Sequence, residues 1–211
     1  MYNWNELKDL NMKPRINDIS LEILRQYYEN YLYPFIYHYT LNDDKGYSKE
    51  IELRFNIENF CHLLGIESIV RRSVSRNTLC EYRGEKGWEN IKAGKLDILH
   101  LKSIDMKMFK CMKAKFVYFY ILPTLIAEPL AVEYDRLKVI PSTEIDCEIL
   151  LFHKADKDNA IIHLGLTLNA EHTYYVPRTF FVEKVDEKSK DIYISQQRPI
   201  DVSIVNRIIT I

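Results

Sequence analysis

Long apolar runs are missing from this 211-residue chain. None approaches the roughly 18 to 20 residues that span a bilayer. The opening MYNWNELKDL is too polar for a secretory leader, so the expected location is the cytoplasm, with no membrane partner. Cysteine is scarce as well. Cys61, Cys80, Cys111 and Cys147 show no CxxC spacing, which argues against a disulfide framework and against a zinc site. HxH, HExxH and clustered Asp/Glu/His spacings are absent, so no metal and no other cofactor is expected. The GxSxG nucleophile elbow, the GxGxxG dinucleotide turn and the GxxxxGK phosphate loop are absent too, which disfavours elbow-type hydrolases and nucleotide-cradling folds.

An excess of one charge sign is also lacking. A net charge of −1 argues against a protein that grips nucleic acid with its whole surface. The distribution is less even. From Arg71 to Lys115 there are about 12 Lys/Arg against about 5 Asp/Glu, so the rest of the chain is acidic. VRRSVSR, residues 70–76, sets Arg71, Arg72 and Arg76 among small polar residues, the local field that phosphate contact needs. The other reading of such a run is a solvated loop.

What is present is ordinary globular material, 47% hydrophobic and 28% charged, enough for one core with a helical annex. Residues 18–41 carry apolar and aromatic side chains at three- and four-residue intervals, which predicts a helix that Pro34 kinks or divides. LNDDKG then turns the chain into EIELRFN, whose Ile51, Leu53 and Phe55 alternate with polar residues as in a half-buried strand. Asn56 caps a short helix, NIENFCHLLG, that Gly65 stops. Further helices are expected over GWENIKAGK, LDILHL and MKMFKCMKAKFVYFYILPTLIAE, the last interrupted at Pro123 and basic along one side, Lys115 included. From about residue 130 the texture turns to short β-rich runs, AVEYDRLKVI, CEILLFHK, AIIHLGLTL, YYVPRTFFVEKV and DIYISQQ, separated by turns such as ADKDN, NAEH and DEKSKD. The expected class is α+β, with N-terminal helices packed on one face of a C-terminal antiparallel sheet whose other face stays open for a ligand. The expected organisation is a helical extension over residues 1–48 and an α+β domain over 49–211.

Two histidines sit between aliphatic neighbours, His62 in FCHLLG and His163 in IIHLGL. On its helix His62 points away from the stripe of Ile57, Phe60, Cys61 and Leu64. If Ile162, Leu164 and Leu166 face the helices, strand alternation puts His163 on the open face, with either Arg178 or Thr179 beside it. Either both rings are surface decoration or they converge on a site. Two imidazoles, a guanidinium, a hydroxyl and lysines are the inventory of a metal-independent ribonuclease. One ring takes the proton of the ribose 2′-OH, the other protonates the leaving 5′-oxygen, and the cation holds the phosphate charge. Histidine suits both tasks, since its ordinary pKa near 6.5 makes either form available at neutral pH. Tyr174 and Tyr175 can stack a base or belong to a core.

The series RFNIENFCHLLGI, GWENIKAGKLDILHL, KFVYFYILPTLI, IIHLGL and YYVPRTFFVEK, in that order, resembles the phage and prophage nuclease domains grouped with barnase, EndoU, colicin and RelE-type RNases, specifically the fourth phage-encoded group. The resemblance spans about residues 50 to 198. It implies helices ahead of an antiparallel sheet and RNA cleavage without a metal, with His62, His163, Arg178 and Thr179 as the matching positions. The expected protein is a toxin- or phage-related endoribonuclease with RNA as partner, restrained by an antitoxin or other inhibitor protein. Arg71, Arg72, Arg76, Lys115 and Tyr175 are the expected substrate contacts. The alternative is a module on the same fold that binds RNA or protein without cutting.

Overall fold

The computed structural model describes residues 1–185 and 191–209, which form two compact units. The first combines residues 1–33 with 56–121. It contains α1 (Trp4–Leu7), α2 (Leu21–Tyr31), α3 (Ile57–Leu64), α4 (Ile66–Val70), α5 (Gly84–Lys92), α6 (Ile98–Ile104) and α7 (Met106–Tyr118). Side-chain caps start several of them: Ser20 accepts from the N–H of Ile23, Asp97 from that of His100 and Asp105 from that of Met108. Gly65 ends α3 at φ 71°, a left-handed conformation that a residue with a Cβ adopts only under strain. The centre of this unit is aromatic. The Phe60 ring meets Tyr28 (5.3 Å), Trp88 (5.2 Å) and Phe119 (5.7 Å) edge to face, the arrangement that ring quadrupoles favour. Buried phenols find carbonyls, Tyr27 donating to Tyr120 O and Tyr28 to Asn56 O.

The second unit combines residues 34–55 with 122–211, of which 186–190, 210 and 211 lie outside the described residues. Its strands are β1 (Phe35–Asn42), β2 (Ser48–Arg54), β3 (Leu130–Glu133), β4 (Ile149–Ala155), β5 (Ala160–Leu168), β6 (Tyr175–Lys184) and β7 (Arg198–Ile209), with α8 (Leu122–Ala127) ahead of β3. They close into a barrel in the order β1-β2-β6-β5-β4-β3-β7. Neighbours run antiparallel except β2 and β6, which meet in parallel at Leu53 and Tyr175. Tyr37, Tyr39, Leu41, Ile51, Leu53, Ile162, Leu164 and Phe180 are buried, and the Tyr39 hydroxyl donates to the carbonyl of Ile126 in α8.

This corrects the expected architecture. The class is α+β, but the sheet is a closed barrel rather than a C-terminal layer under N-terminal helices. Two of its strands come from residues 35–54, ahead of most of the helices. The helix expected over 18–41 ends at Tyr31 because FIYHYTLN is rich in aromatic and β-branched residues and alternates buried Tyr37, Tyr39 and Leu41 with more exposed neighbours. The LNDDKG turn forms as expected, with Asp43 accepting from the N–H groups of Lys45 and Tyr47. DIYISQQ is not a strand. The last strand is β7 instead, and it closes the barrel on β1. The DEKSKD turn lies, apart from Asp191, outside the described residues.

Candidate active site

The expected open face of β4, β5 and β6 is covered. Val132, Tyr134, Val139, Leu150, Phe152 and Ile161 form a second apolar cluster there, with Ile145, Cys147, Phe181, Ile192, Tyr193 and Ile194 packed against it. His163 is therefore not on an open face but 0% exposed. Its ring stacks on Phe181 at 4.4 Å and meets Tyr193 edge to face at 5.6 Å. Nε2 bonds Glu183 Oε2 at 3.2 Å, while Nδ1 is buried without a partner among the described residues. Burial lowers the His163 pKa, against a smaller upward pull from Glu183 and Asp191.

The remaining expected residues are distributed over both units. Thr179 is the cross-strand partner of Gly165, and Phe181 that of His163, so Thr179 shares the His163 face. Arg178 is exposed, at the register shift between Gly165 and Leu166. Such bulges re-aim side chains. His62 is exposed on α3, as its periodicity predicts, and belongs to the helical unit, whereas His163 belongs to the barrel unit. Arg71, Arg72 and Arg76 are exposed in the helical unit, Arg71 paired with Glu67 at 2.7 Å. Lys115 is half-buried on α7, its stem within 3.4 Å of where a Cβ on Gly65 would lie, and burial lowers its amine to about 8. Tyr175 is buried and lines two cavities.

A different constellation occupies the barrel unit. A cleft of about 540 Å³ is lined by His38 of β1, Lys49, Glu50 and Glu52 of β2, Asn206 of β7, and His172, Tyr174 and Tyr175 at the β5–β6 turn. That size suits a small ligand or one nucleotide of a chain. His38 pairs across the sheet with Glu52 on one side and Asn206 on the other, all on the face turned away from buried Tyr37 and Tyr39. Asn169 holds the turn: its side-chain oxygen accepts from the N–H groups of Thr173 (2.8 Å) and Tyr174 (3.3 Å), and His172 N–H donates to Asn169 O. His172 sits at φ 55°, a conformation uncommon outside glycine and sustained by these contacts. Lys49 Nζ donates to Tyr175 Oη at 3.1 Å. The Arg54 guanidinium lies 4.5 Å from the Tyr174 ring centroid and is ion-paired with Glu52. Tyr175 stays protonated at neutral pH, since burial raises its pKa above the usual phenol value more than Lys49 lowers it.

Residues 21–202 match the family described as phage-Barnase-EndoU-ColicinE5/D-RelE like nuclease 4. The chain belongs to this family. The match begins before β1 and ends within β7, so it includes every strand of the barrel in whole or in part. Family membership makes the protein a nuclease of the barnase/EndoU/colicin/RelE-like type, with nucleic acid as its substrate. No curated protein and no solved structure matches the chain. Among the described residues, no helix is long and apolar enough to cross a membrane.

His38, His172 and Lys49 are not among the residues singled out in the sequence, and Tyr174 appears there only as a ring that can stack a base or belong to a core. His38 lay inside a segment taken for a helix. Read with period two, FIYHYTLN puts His38 and Thr40 opposite Tyr37, Tyr39 and Leu41, which is the signal that finds it. His172 lies in the NAEH turn, where no periodicity operates.

Proposed function

We propose that this nuclease is a metal-independent endoribonuclease whose chemistry takes place in the cleft lined by His38 and His172. The observation that carries the reading is that two imidazoles, an ammonium and tyrosines border one open cavity. One histidine removes the 2′-OH proton and the other protonates the 5′-oxygen as the P–O bond breaks. Lys49 faces the charge that builds on the phosphate, and Tyr174, backed by Arg54, offers a ring for an unstacked base. The exposed arginines Arg71, Arg72 and Arg76 contribute a sequence-independent pull on the RNA backbone. The family's phage association supports a role as a toxin- or phage-related effector in a bacterial cytoplasm, held in check by an inhibitor protein.

The test is incubation of an RNA oligonucleotide in excess EDTA, with product ends identified by mass. Expected products carry a 2′,3′-cyclic phosphate and a 5′-hydroxyl, and a single 2′-deoxy substitution at the cut site abolishes cleavage. Equal cutting of DNA, or cutting only with added divalent metal, contradicts the proposal. RNA that is bound but never cut favours the binding-module alternative.

A further inference from the structure

The cleft shares a wall with a smaller cavity of about 240 Å³, since Lys49 and Tyr175 line both. Asp43, Glu133, Glu148 and Arg198 also line the smaller one. Arg198 is committed to Asp43 at 2.8 Å, to Glu133 at 3.4 Å and to Asp44. Glu148 instead joins Lys49 through a single phenol: Lys49 Nζ lies 3.1 Å from Tyr175 Oη, which lies 3.1 Å from Glu148 Oε2. The direction of this chain is forced. An ammonium can only donate and a phenol has one proton, so Tyr175 accepts from Lys49 and donates to the carboxylate. The other carboxylate oxygen, Oε1, accepts from Leu168 N–H at 3.1 Å and Thr167 Oγ1 at 3.3 Å, which fixes Glu148 against the end of β5.

We infer that Glu148 is a positioning residue that holds Lys49 in the cleft by setting, through the Tyr175 hydroxyl, the direction of the hydrogen-bond chain between them. The inference rests on the reading that Lys49 meets the substrate phosphate. Its consequence is specific to charge and not to shape. In Glu148→Gln the side chain offers one acceptor where two are needed. If the amide oxygen serves Leu168 N–H, the NH₂ group faces Tyr175, whose proton must then turn toward Lys49. Two donors face each other, and Lys49 leaves its place. The opposite amide orientation puts NH₂ against Leu168 N–H, so neither orientation satisfies both ends.

The experiment compares wild type, Glu148→Gln, Tyr175→Phe and the double variant in single-turnover RNA cleavage, with circular dichroism and melting as controls of folding. Each single variant is expected to slow cleavage by about 10- to 100-fold, the effect of losing a hydrogen bond to a charged group. Because both act through one chain, the double variant should be no slower than the slower single one. Multiplied effects in the double variant, or a wild-type rate for Glu148→Gln together with an unmoved Lys49 signal, would overturn the inference. A readout independent of RNA is the side-chain ¹H–¹³C signal of Lys49, assigned with Lys49→Arg. It should move in the same direction in Glu148→Gln and Tyr175→Phe, and Tyr175→Phe serves alone if Glu148→Gln does not fold. A moved signal with unchanged cleavage supports the positioning and overturns the catalytic reading of the cleft. An unmoved signal overturns the positioning whatever the rates.

Discussion

Replacing His163 by Gln should flatten the pH dependence of folding stability below about pH 6.5, the ordinary imidazole value, and leave it unchanged above. The ring is 0% exposed, and burial lowers its pKa more than Glu183 and Asp191 raise it. In the unfolded chain the imidazole protonates near 6.5, about its ordinary value. The folded protein resists that proton, so below about pH 6.5 the unfolded state binds more protons and stability increases with pH. The contribution is complete above about 6.5 and is lost as pH falls from there to the folded value, at no more than about 1.4 kcal/mol per pH unit. The environment explains the resistance. With Nε2–H directed at Glu183, protonation places a second N–H on Nδ1, which is buried with no acceptor among the described residues. His153, half-buried and also lowered chiefly by burial, adds a slope of the same sign. The observable is therefore the difference between variant and wild type. Urea unfolding at half-unit pH steps measures it, with midpoints converging toward acid pH. Curves that stay parallel across the whole range would refute the reasoning.

Two more outcomes follow from packing and charge. Gly87→Ala should destabilise the helical unit even though alanine gains about 1 kcal/mol over glycine in a helix interior. The new Cβ would lie 2.8 Å from Cys61 Sγ and 2.8 Å from the Tyr82 carbonyl carbon, and overpacking of this kind costs about 1–3 kcal/mol. A raised melting temperature would contradict this. Replacing Arg71, Arg72 and Arg76 together by Ala should weaken RNA binding and lower the slope of log K against log salt, by about 0.7 for every single-strand phosphate that is no longer neutralised. Arg71, already paired with Glu67, should contribute least of the three. An unchanged slope makes this loop a solvated surface.

Local signals in the sequence proved more legible than the long-range ones. The α3 cap at Asn56 and its stop at Gly65 are short-range chemistry, and both are where the sequence put them. So are β2, β4, β5 and β6, although alternation survives in the burial pattern only in β2 and part of β6, because β4 and β5 are buried on both faces over most of their length. The exposed position of His62 follows from helix periodicity alone. What periodicity does not carry is which face of a strand is later covered. The His163 face was assigned correctly as opposite to Ile162 and Leu164, yet Tyr134, Ile192, Tyr193 and Ile194 return from distant segments to bury it. Barrel closure is equally non-local, since it depends on β1 pairing with β7 across more than 150 residues. His38 was obscured by a rival period. The aromatic spacing of α2 continues into FIYHYTLN, so helix and strand readings compete there, and β propensity with period-two alternation decides for the strand.

The most direct test of where the chemistry resides is RNA cleavage in excess EDTA by His38→Ala, His172→Ala, His62→Ala and His163→Ala, each checked for folding by its melting curve. His38→Ala and His172→Ala should each lose about 100-fold or more, as general acid/base groups do, while His62→Ala keeps the wild-type rate. Full activity in both His38→Ala and His172→Ala, with the loss falling instead on His62→Ala and on a folded His163→Ala, would contradict the cleft as the active site.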